Sequence, residues 1–158
     1  MSEHLLVTIG RGRFQEKKEI IVHLVDEPKA NGFLNDIEHY PHAFVLACCM
    51  DRQTKSERAW MIPFKIYASL GGFSMEKLAS ISREEYKDLF IKQALHRFNE
   101  IMSDVWYDAV QKIVRDYNGD ASKIWSQNPS SATVIYRFLQ FKGVGIKIAT
   151  MATNILAR

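Results

Sequence analysis

A lysine and two glycines near the C-terminus are the residues whose types and spacing suggest chemistry. Gly143, Gly145 and Lys147 lie in the stretch Phe138-Leu-Gln-Phe-Lys-Gly-Val-Gly-Ile-Lys-Ile-Ala149. A lysine amine acts as a nucleophile once it is partly desolvated, and its protonated form binds phosphate as a point charge. Glycine allows backbone amides to approach a ligand closely. The stretch therefore predicts a phosphate-binding site, with a lysine placed where a nucleophile could act.

The pattern around these residues predicts two helices joined by a tight turn. Apolar residues flank the glycines: Ile135, Phe138, Leu139 and Phe141 before them, and Val144, Ile146, Ile148 and Met151 after them. The second helix is expected to begin near Gly145, so its first amides lack intrahelical partners and can bind an anion. Lys142 adds a positive charge. We interpret the stretch as a helix-hairpin-helix that holds DNA phosphates; the alternative is an ordinary helical corner closed by glycines.

The distribution of charge adds modest support for a nucleic-acid partner. The chain has 21 Lys+Arg and 18 Asp+Glu, a net charge of +3. Residues 121–158 contain no acidic residue and five basic ones, namely Lys123, Arg137, Lys142, Lys147 and Arg158. We therefore expect the positive field to be concentrated around the hairpin, as a surface that faces a duplex requires.

Length and composition favour a single domain. The 158 residues are 47% apolar, which suffices for a core. The sequence predicts neither a membrane span nor a secretory signal. The two cysteines, Cys48 and Cys49, lie in an apolar run, where buried, reduced thiols are expected. We therefore expect an intracellular, cytoplasmic protein associated with the nucleoid.

The rest of the chain predicts an all-α fold. Helices are expected at residues 30–40, at 41–50, from about 56 to 70 with an interruption at Pro63, after Ser74, after the capping box of Ser82 and Glu85, and at roughly 94–118. The apolar stripe of the longest helix is expected at Leu95, Phe98, Met102, Val105, Ala109, Ile113 and Tyr117, widened by Ile101, Val110 and Val114. Asp120 is expected to cap a short helix. Residues 19–25 fit either a helix or a strand, which Pro28 ends.

With these features the chain resembles the helix-hairpin-helix DNA glycosylase superfamily, in its endonuclease-III-like branch. The likeness covers about residues 30–158, and residues 136–158 are also similar to members described as iron–sulfur cluster loop proteins. It implies two helical lobes with a cleft between them and the hairpin on one wall. We divide the domain into an N-terminal extension (1–29), core helices (30–129) and the helix-hairpin-helix (130–158).

The resemblance implies DNA base-excision repair by a glycosylase with abasic-site lyase activity. Lys147 matches the family lysine that attacks the sugar of a nucleotide flipped out of the duplex and forms a Schiff base; alternatively it only contacts phosphate or solvent. Gln53, in Asp51-Arg-Gln-Thr, matches the glutamine that fills the gap left by the flipped base; alternatively it is a polar residue at a helix start. The partner implied is double-stranded DNA with a damaged base or an abasic site.

Two further sites follow from the resemblance. Leu95 and His96 fall where the family places a wedge loop against the opposite DNA strand, although a core position is the preferred interpretation of Leu95. The family binds a monovalent cation, sodium or potassium, at hairpin carbonyls, which would be those of Leu139, Phe141 and Val144. The five histidines have no metal-ligand spacing, and we expect them to face solvent.

The sequence also departs from the family. The essential aspartate beyond the second hairpin helix has no counterpart among the 11 residues after Lys147, and the cluster cysteines are absent. We therefore expect a fragment or a truncated product, with base removal impaired and no cofactor in this chain, although a longer form could hold an iron–sulfur cluster. A non-catalytic DNA-binding module is the second interpretation, and a protein-binding helical scaffold is the third.

Overall fold

The computed structural model describes residues 20–157, which form helices and connecting turns with no strand among them. The α-helices are α1 (Pro28–Asn35), α2 (Pro41–Met50), α3 (Ser56–Trp60), α4 (Ile62–Leu70), α5 (Met75–Ser80), α6 (Arg83–Gln93), α7 (Asn99–Tyr117), α8 (Ser131–Leu139) and α9 (Ile146–Leu156). A 3-10 helix, Ala121–Ile124, lies between α7 and α8. The predicted all-α class is confirmed.

Helix α2 forms the centre of the bundle. All ten of its residues, Pro41–Met50, are buried, because the segment is apolar on every face. The helix packs against α7, α4, α3 and the 3-10 helix. Cys48 and Cys49 lie within it as free, buried thiols, as expected from the sequence. Its two ends therefore mark two opposite regions of the molecule, about 15 Å apart at 1.5 Å per residue.

The long helix α7 supplies the largest amphipathic face, but its position differs from the prediction. The helix begins at Asn99 rather than near residue 94, because Ala94 adopts a left-handed conformation (φ 47°) that ends α6. The buried stripe includes Ser103 and Trp106, which the predicted stripe omitted, whereas Ile101 is 62% exposed. The apolar face is therefore rotated relative to the one read from the sequence.

Short-range signals fixed several helix ends. Ser82 and Glu85 form the predicted capping box, and Ser74 accepts a hydrogen bond from the amide of Lys77. Pro63 restarts the chain as α4, whose C-terminal cap is Gly71 with φ of 65°. Asp120 caps the 3-10 helix through the amide of Ser122, as predicted. These ends follow from short-range chemistry, so sequence alone identified them.

The N-terminal segment differs from expectation. Residues 20–25 are neither helix nor strand, and Pro28 lies in the first turn of α1 instead of ending a segment. The Asn35 side chain satisfies the backbone of Val22, because it accepts from Val22 N (2.8 Å) and donates to Val22 O (2.9 Å). A neighbouring strand would make the same pair of bonds. Residues 1–19, which include the start of the predicted helix-or-strand segment, lie outside the described part of the chain.

The helices of the described range are too short or too polar to cross a bilayer.

Candidate nucleic-acid interface

The turn between α8 and α9, residues 140–145, is a compact unit anchored in the core. Phe141 N donates to Phe138 O (3.0 Å), and Val144 N donates to Phe141 O (3.1 Å). Phe141 and Val144 are buried. Gly143 has φ of 84°, in the left-handed region that favours glycine. We call α8, this turn and α9 the hairpin; its exposed residues are held by two buried side chains.

The N-terminus of α9 is open to ligands. Gly145 is the N-cap residue with extended backbone (φ −94°, ψ 175°), and it provides no side-chain cap. The first bond of the helix is Ala149 N to Gly145 O (3.0 Å), so the amides of residues 146–148 have no intrahelical acceptor. A Cβ atom added at Gly145 would meet no atom within 4 Å. An uncapped, open helix start is what an anion site requires, and anion binding here stays a prediction.

Lys147 and Lys142, the two lysines of the hairpin, differ in their surroundings. Lys147 lies in the first turn of α9 and is exposed. Lys142 is also exposed, but its Nζ lies 3.2 Å from the Asp108 carboxylate. The same carboxylate lies 2.9 Å from Arg83. Lys142 is thus already paired, whereas the sequence suggested a cation free to bind phosphate.

Arg52, in the loop after α2, is a cation beside the hairpin that sequence reasoning missed. Its Nη1 atom lies 3.6 Å from the Cβ position of Gly143, so its guanidinium lies against the turn. The side chain is exposed, and within residues 20–157 it makes no ion pair with a carboxylate. Its place beside Gln53 in Asp51-Arg-Gln-Thr was the signal that could have revealed it.

Gln53 lies in the exposed loop that follows α2, with φ of 51°. Asp51 fixes this loop, since its carboxylate accepts from Trp60 Nε1 (3.0 Å) and from Ser56 Oγ (3.2 Å). Because the adjacent Arg52 touches Gly143, the structure brings the Gln53 loop next to the hairpin turn. The Gln53 loop and the hairpin turn are about 90 residues apart in the sequence. In the structure they lie together at the C-terminal end of α2.

Leu95 and His96 require a correction. Both lie in the loop between α6 and α7, but Leu95 is 0% exposed and His96 is 1% exposed. A wedge must protrude into a duplex, and buried side chains do not protrude. In this conformation neither residue is available to DNA, and the alternative core role of Leu95 is the one observed. The expectation of solvent-facing histidines was likewise wrong for His96 and for His42, which is 6% exposed.

His96 instead ties the loop to the C-terminal end of α2. Its Nδ1 accepts from Phe98 N (3.0 Å), which leaves Nε2 to donate to Met50 O (3.2 Å). These two bonds define a neutral ring with its proton on Nε2. Burial, and next the nearby Arg58 charge, lower the pKa of His96, although the bond to Met50 opposes the shift. Arg58 also holds the loop through Ala94 O (2.7 Å).

Three further expectations concern a monovalent-cation site, metal ligands and the distribution of positive charge. The carbonyl of Phe141, one of three proposed for a monovalent cation, accepts the Val144 amide, and that cation site stays a prediction. Within residues 20–157 no group of three or more His, Cys, Asp or Glu is placed to hold a metal ion. Lys123 and Arg137 line a separate groove, so the positive residues of the C-terminal quarter are only partly gathered around the hairpin turn.

The cleft predicted between two lobes, with the hairpin on one wall, stays a prediction. A cleft of about 820 Å³ lies at the N-terminal end of α2, lined by His42, Tyr67, Phe73, Asp120 and nearby loop residues. None of its lining residues belongs to the hairpin. Within this lining, His42 Nε2 donates to Phe73 O (2.5 Å).

No protein-family model matches this chain, and no curated protein or solved structure is significantly similar to it. The class that the fold defines is an all-α helical bundle, and the glycosylase resemblance remains a hypothesis based on the motif residues.

Proposed function

We propose that this chain binds duplex DNA through the hairpin and acts on abasic or damaged sites as a DNA glycosylase with abasic-site lyase activity. The observation that carries this proposal is the open N-terminus of α9. It presents uncapped amides and Lys147 to solvent. The loop of Arg52 and Gln53 lies beside Gly143, in the turn that leads into this helix. Phosphates held at such a helix end position a duplex without reading its sequence.

The proposed chemistry assigns one role to each of these residues. The amides of α9 and Arg52 hold the backbone of the duplex, and Gln53 fills the gap left by an extruded nucleotide. An extruded sugar is needed because its reacting carbon is out of reach inside the stack. The Lys147 amine adds to the C1′ aldehyde of an abasic site, and the adduct loses water to form a Schiff base. A C2′ proton then passes to water as the C3′–O bond breaks and the 3′ phosphate leaves by β-elimination. The exposed Lys147 amine becomes partly desolvated when the duplex covers it, as a lysine nucleophile requires.

Trapping with borohydride tests the nucleophile. Reduction converts a Schiff base into a stable covalent adduct, so we expect the chain to form one with DNA that contains a preformed abasic site. Lys147→Ala should abolish the adduct, and Lys65→Ala, which removes an exposed lysine from α4, should not. An adduct that survives Lys147→Ala would refute the assignment of Lys147.

A non-catalytic DNA-binding module is the second candidate function. The exposure of Lys147 favours it, because a lysine nucleophile must be partly desolvated and this side chain is open to solvent. This candidate predicts salt-dependent binding to duplex DNA without any trapped adduct. The same experiment therefore separates the two candidates.

A further inference from the structure

A second region rich in hydrogen-bond donors lies away from the hairpin turn. It is a groove of about 330 Å³ beside the 3-10 helix and α8. Its lining consists of Lys123, Ser126, Gln127, Pro129, Thr133 and Arg137. Every one of these side chains except the proline can donate a hydrogen bond, and none is acidic. The composition of the groove is that of an anion site.

Arg137 is the donor of the groove whose orientation is fixed by the surrounding backbone. Its Nη1 donates to Lys123 O (3.2 Å) and to Ile124 O (2.9 Å), so two carbonyls fix the plane of the guanidinium. The residue is half-buried. No carboxylate within the described range forms an ion pair with it. Charged side chains that lose water are normally paired, so a half-buried guanidinium without a counterion can gain from an anion.

Lys123 adds a second charge to the same wall. Its side chain is exposed and makes no hydrogen bond to another residue of the described range. Its own backbone carbonyl is one of the two that hold Arg137, and both residues line the groove. No carboxylate lines the groove, and the Asp120 carboxylate at the start of the same 3-10 helix is bonded to Ser122. Hydroxyl groups of Ser126 and Thr133 complete the set of neutral donors.

We propose that this groove binds a phosphate group, with the free N–H groups of Arg137 and the ammonium of Lys123 as its main donors. Arginine presents a planar fork that matches phosphate oxygens, and its orientation is already set here by the two carbonyls. The groove shares no residue with the hairpin turn or the start of α9, so this proposal does not depend on the proposed function. The phosphate could belong to a nucleic-acid backbone or to a small molecule, and the chemistry of recognition is the same.

Titration with inorganic phosphate, followed by amide NMR at constant ionic strength, tests the site. We expect saturable shifts of amides around residues 123–137. Lys123→Gln and Arg137→Gln should each weaken the apparent affinity by about tenfold, as the loss of a charge-assisted bond implies. Lys65→Gln carries the same charge change on α4 and should leave the titration unchanged. Lys123→Gln is the decisive variant because the Lys123 side chain makes no hydrogen bond or ion pair within residues 20–157, so its removal should not disturb folding.

The outcome with duplex DNA identifies the source of the phosphate. If Lys123→Gln also lowers DNA affinity and reduces the salt slope by about one, the phosphate is that of the backbone. If DNA binding is unchanged while the phosphate shifts are lost, the natural ligand is a small phosphorylated molecule. The proposal is overturned if phosphate causes no saturable shift, or if both groove variants titrate like the wild type. Neither result depends on Gly145 or Lys147, so failure here leaves the hairpin proposal intact.

Discussion

Gly145 is the hairpin residue at which a substitution can change binding with the least effect on folding. Its backbone is extended, and a side chain added there would meet nothing within 4 Å. Gly143 differs, because its φ of 84° would strain any other residue by about 1–2 kcal/mol. The conformation of Gly145 therefore reflects no steric need of the fold. Its lack of a side chain keeps the amides of α9 accessible.

Gly145→Asp should weaken DNA binding without destabilising the protein. Aspartate is a good N-cap residue, so we expect the free energy of unfolding to change by no more than a few tenths of a kcal/mol, in the stabilising direction. Its carboxylate would occupy the amides and repel phosphate, so affinity for a duplex should fall by about tenfold or more. Fluorescence titration and urea denaturation measure the two quantities.

Gly145→Ala is the matched control, because it adds a side chain without a charge or a cap. It should keep most of the affinity. Undiminished DNA binding by Gly145→Asp in a folded protein would contradict the hairpin proposal.

At the scale of elements, three connecting loops meet at the C-terminal end of α2. The loop after α2 touches the hairpin turn through Arg52 and Gly143, and the loop before α7 is tied to Met50 by His96. The chain thus uses one buried histidine to position a loop beside the candidate interface. The Phe98 amide donates to His96 Nδ1, which accepts only when the ring is neutral, so this arrangement is sensitive to pH.

Stability should decrease as the pH falls below about 6.5, the ordinary pKa of histidine. The pKa of His96 is lowered in the folded protein, so the unfolded chain binds a proton first, and each further step toward acid favours unfolding. The stabilisation is present above pH 6.5 and is lost as the pH falls toward the lowered pKa. His96→Gln should flatten the fall in unfolding free energy measured by urea denaturation between pH 7 and 5.

His39 provides a control of opposite sign. It is exposed, and the bond to Asp36 raises its pKa, so its contribution is present below pH 6.5 and is lost as the pH rises through the raised value. His39→Gln should therefore leave the acid-side fall as steep as, or steeper than, that of the wild type. An equal flattening by both variants would show that His96 is not the responsible group.

The elements show which features the sequence could predict. Caps at Ser74, Ser82 and Asp120 depend on bonds over three residues or fewer, and they were predicted. The start of α7 was not, because a left-handed alanine at residue 94 has no short-range signal. The burial of His96 depends on Met50, which lies 46 residues away. Contacts of that range are fixed by packing of the whole bundle and are invisible to a local pattern.

For the molecule as a whole, the distribution of paired and unpaired cations decides which surface attracts a polyanion. Asp104, Arg83, Asp108 and Lys142 form a chain of ion pairs that joins α6, α7 and the hairpin turn. Asp108 is bonded to both cations, and those bonds outweigh partial burial and lower its pKa. Lys142 is therefore partly neutralised, whereas Arg52 is not. The sequence pattern singled out Lys142 but not Arg52, and it could not show that Lys142 meets the Asp108 carboxylate.

Asp108→Asn should strengthen DNA binding. The substitution releases Lys142, so we expect a higher affinity and a salt slope steeper by about one. Arg52→Gln should have the opposite effect on both quantities. Binding isotherms at several salt concentrations measure the slopes.

Asp104→Asn is the appropriate control for Asp108→Asn, since it removes a partner of Arg83 without touching Lys142. It should change the slope by much less. Equal effects of the two asparagine variants would mean that Asp108 acts through overall charge and not through Lys142.

The alkylation rate of the two adjacent thiols in α2 reports how often the bundle opens. Cys48 and Cys49 are each 1% exposed, and burial raises the pKa of Cys49 to about 12. An alkylating reagent needs the thiolate and a free path to it, and closed molecules offer neither. Since α2 contacts helices throughout the bundle, labelling requires those helices to separate. The rate of alkylation in native buffer therefore reports how often the central helix is released, without any added probe.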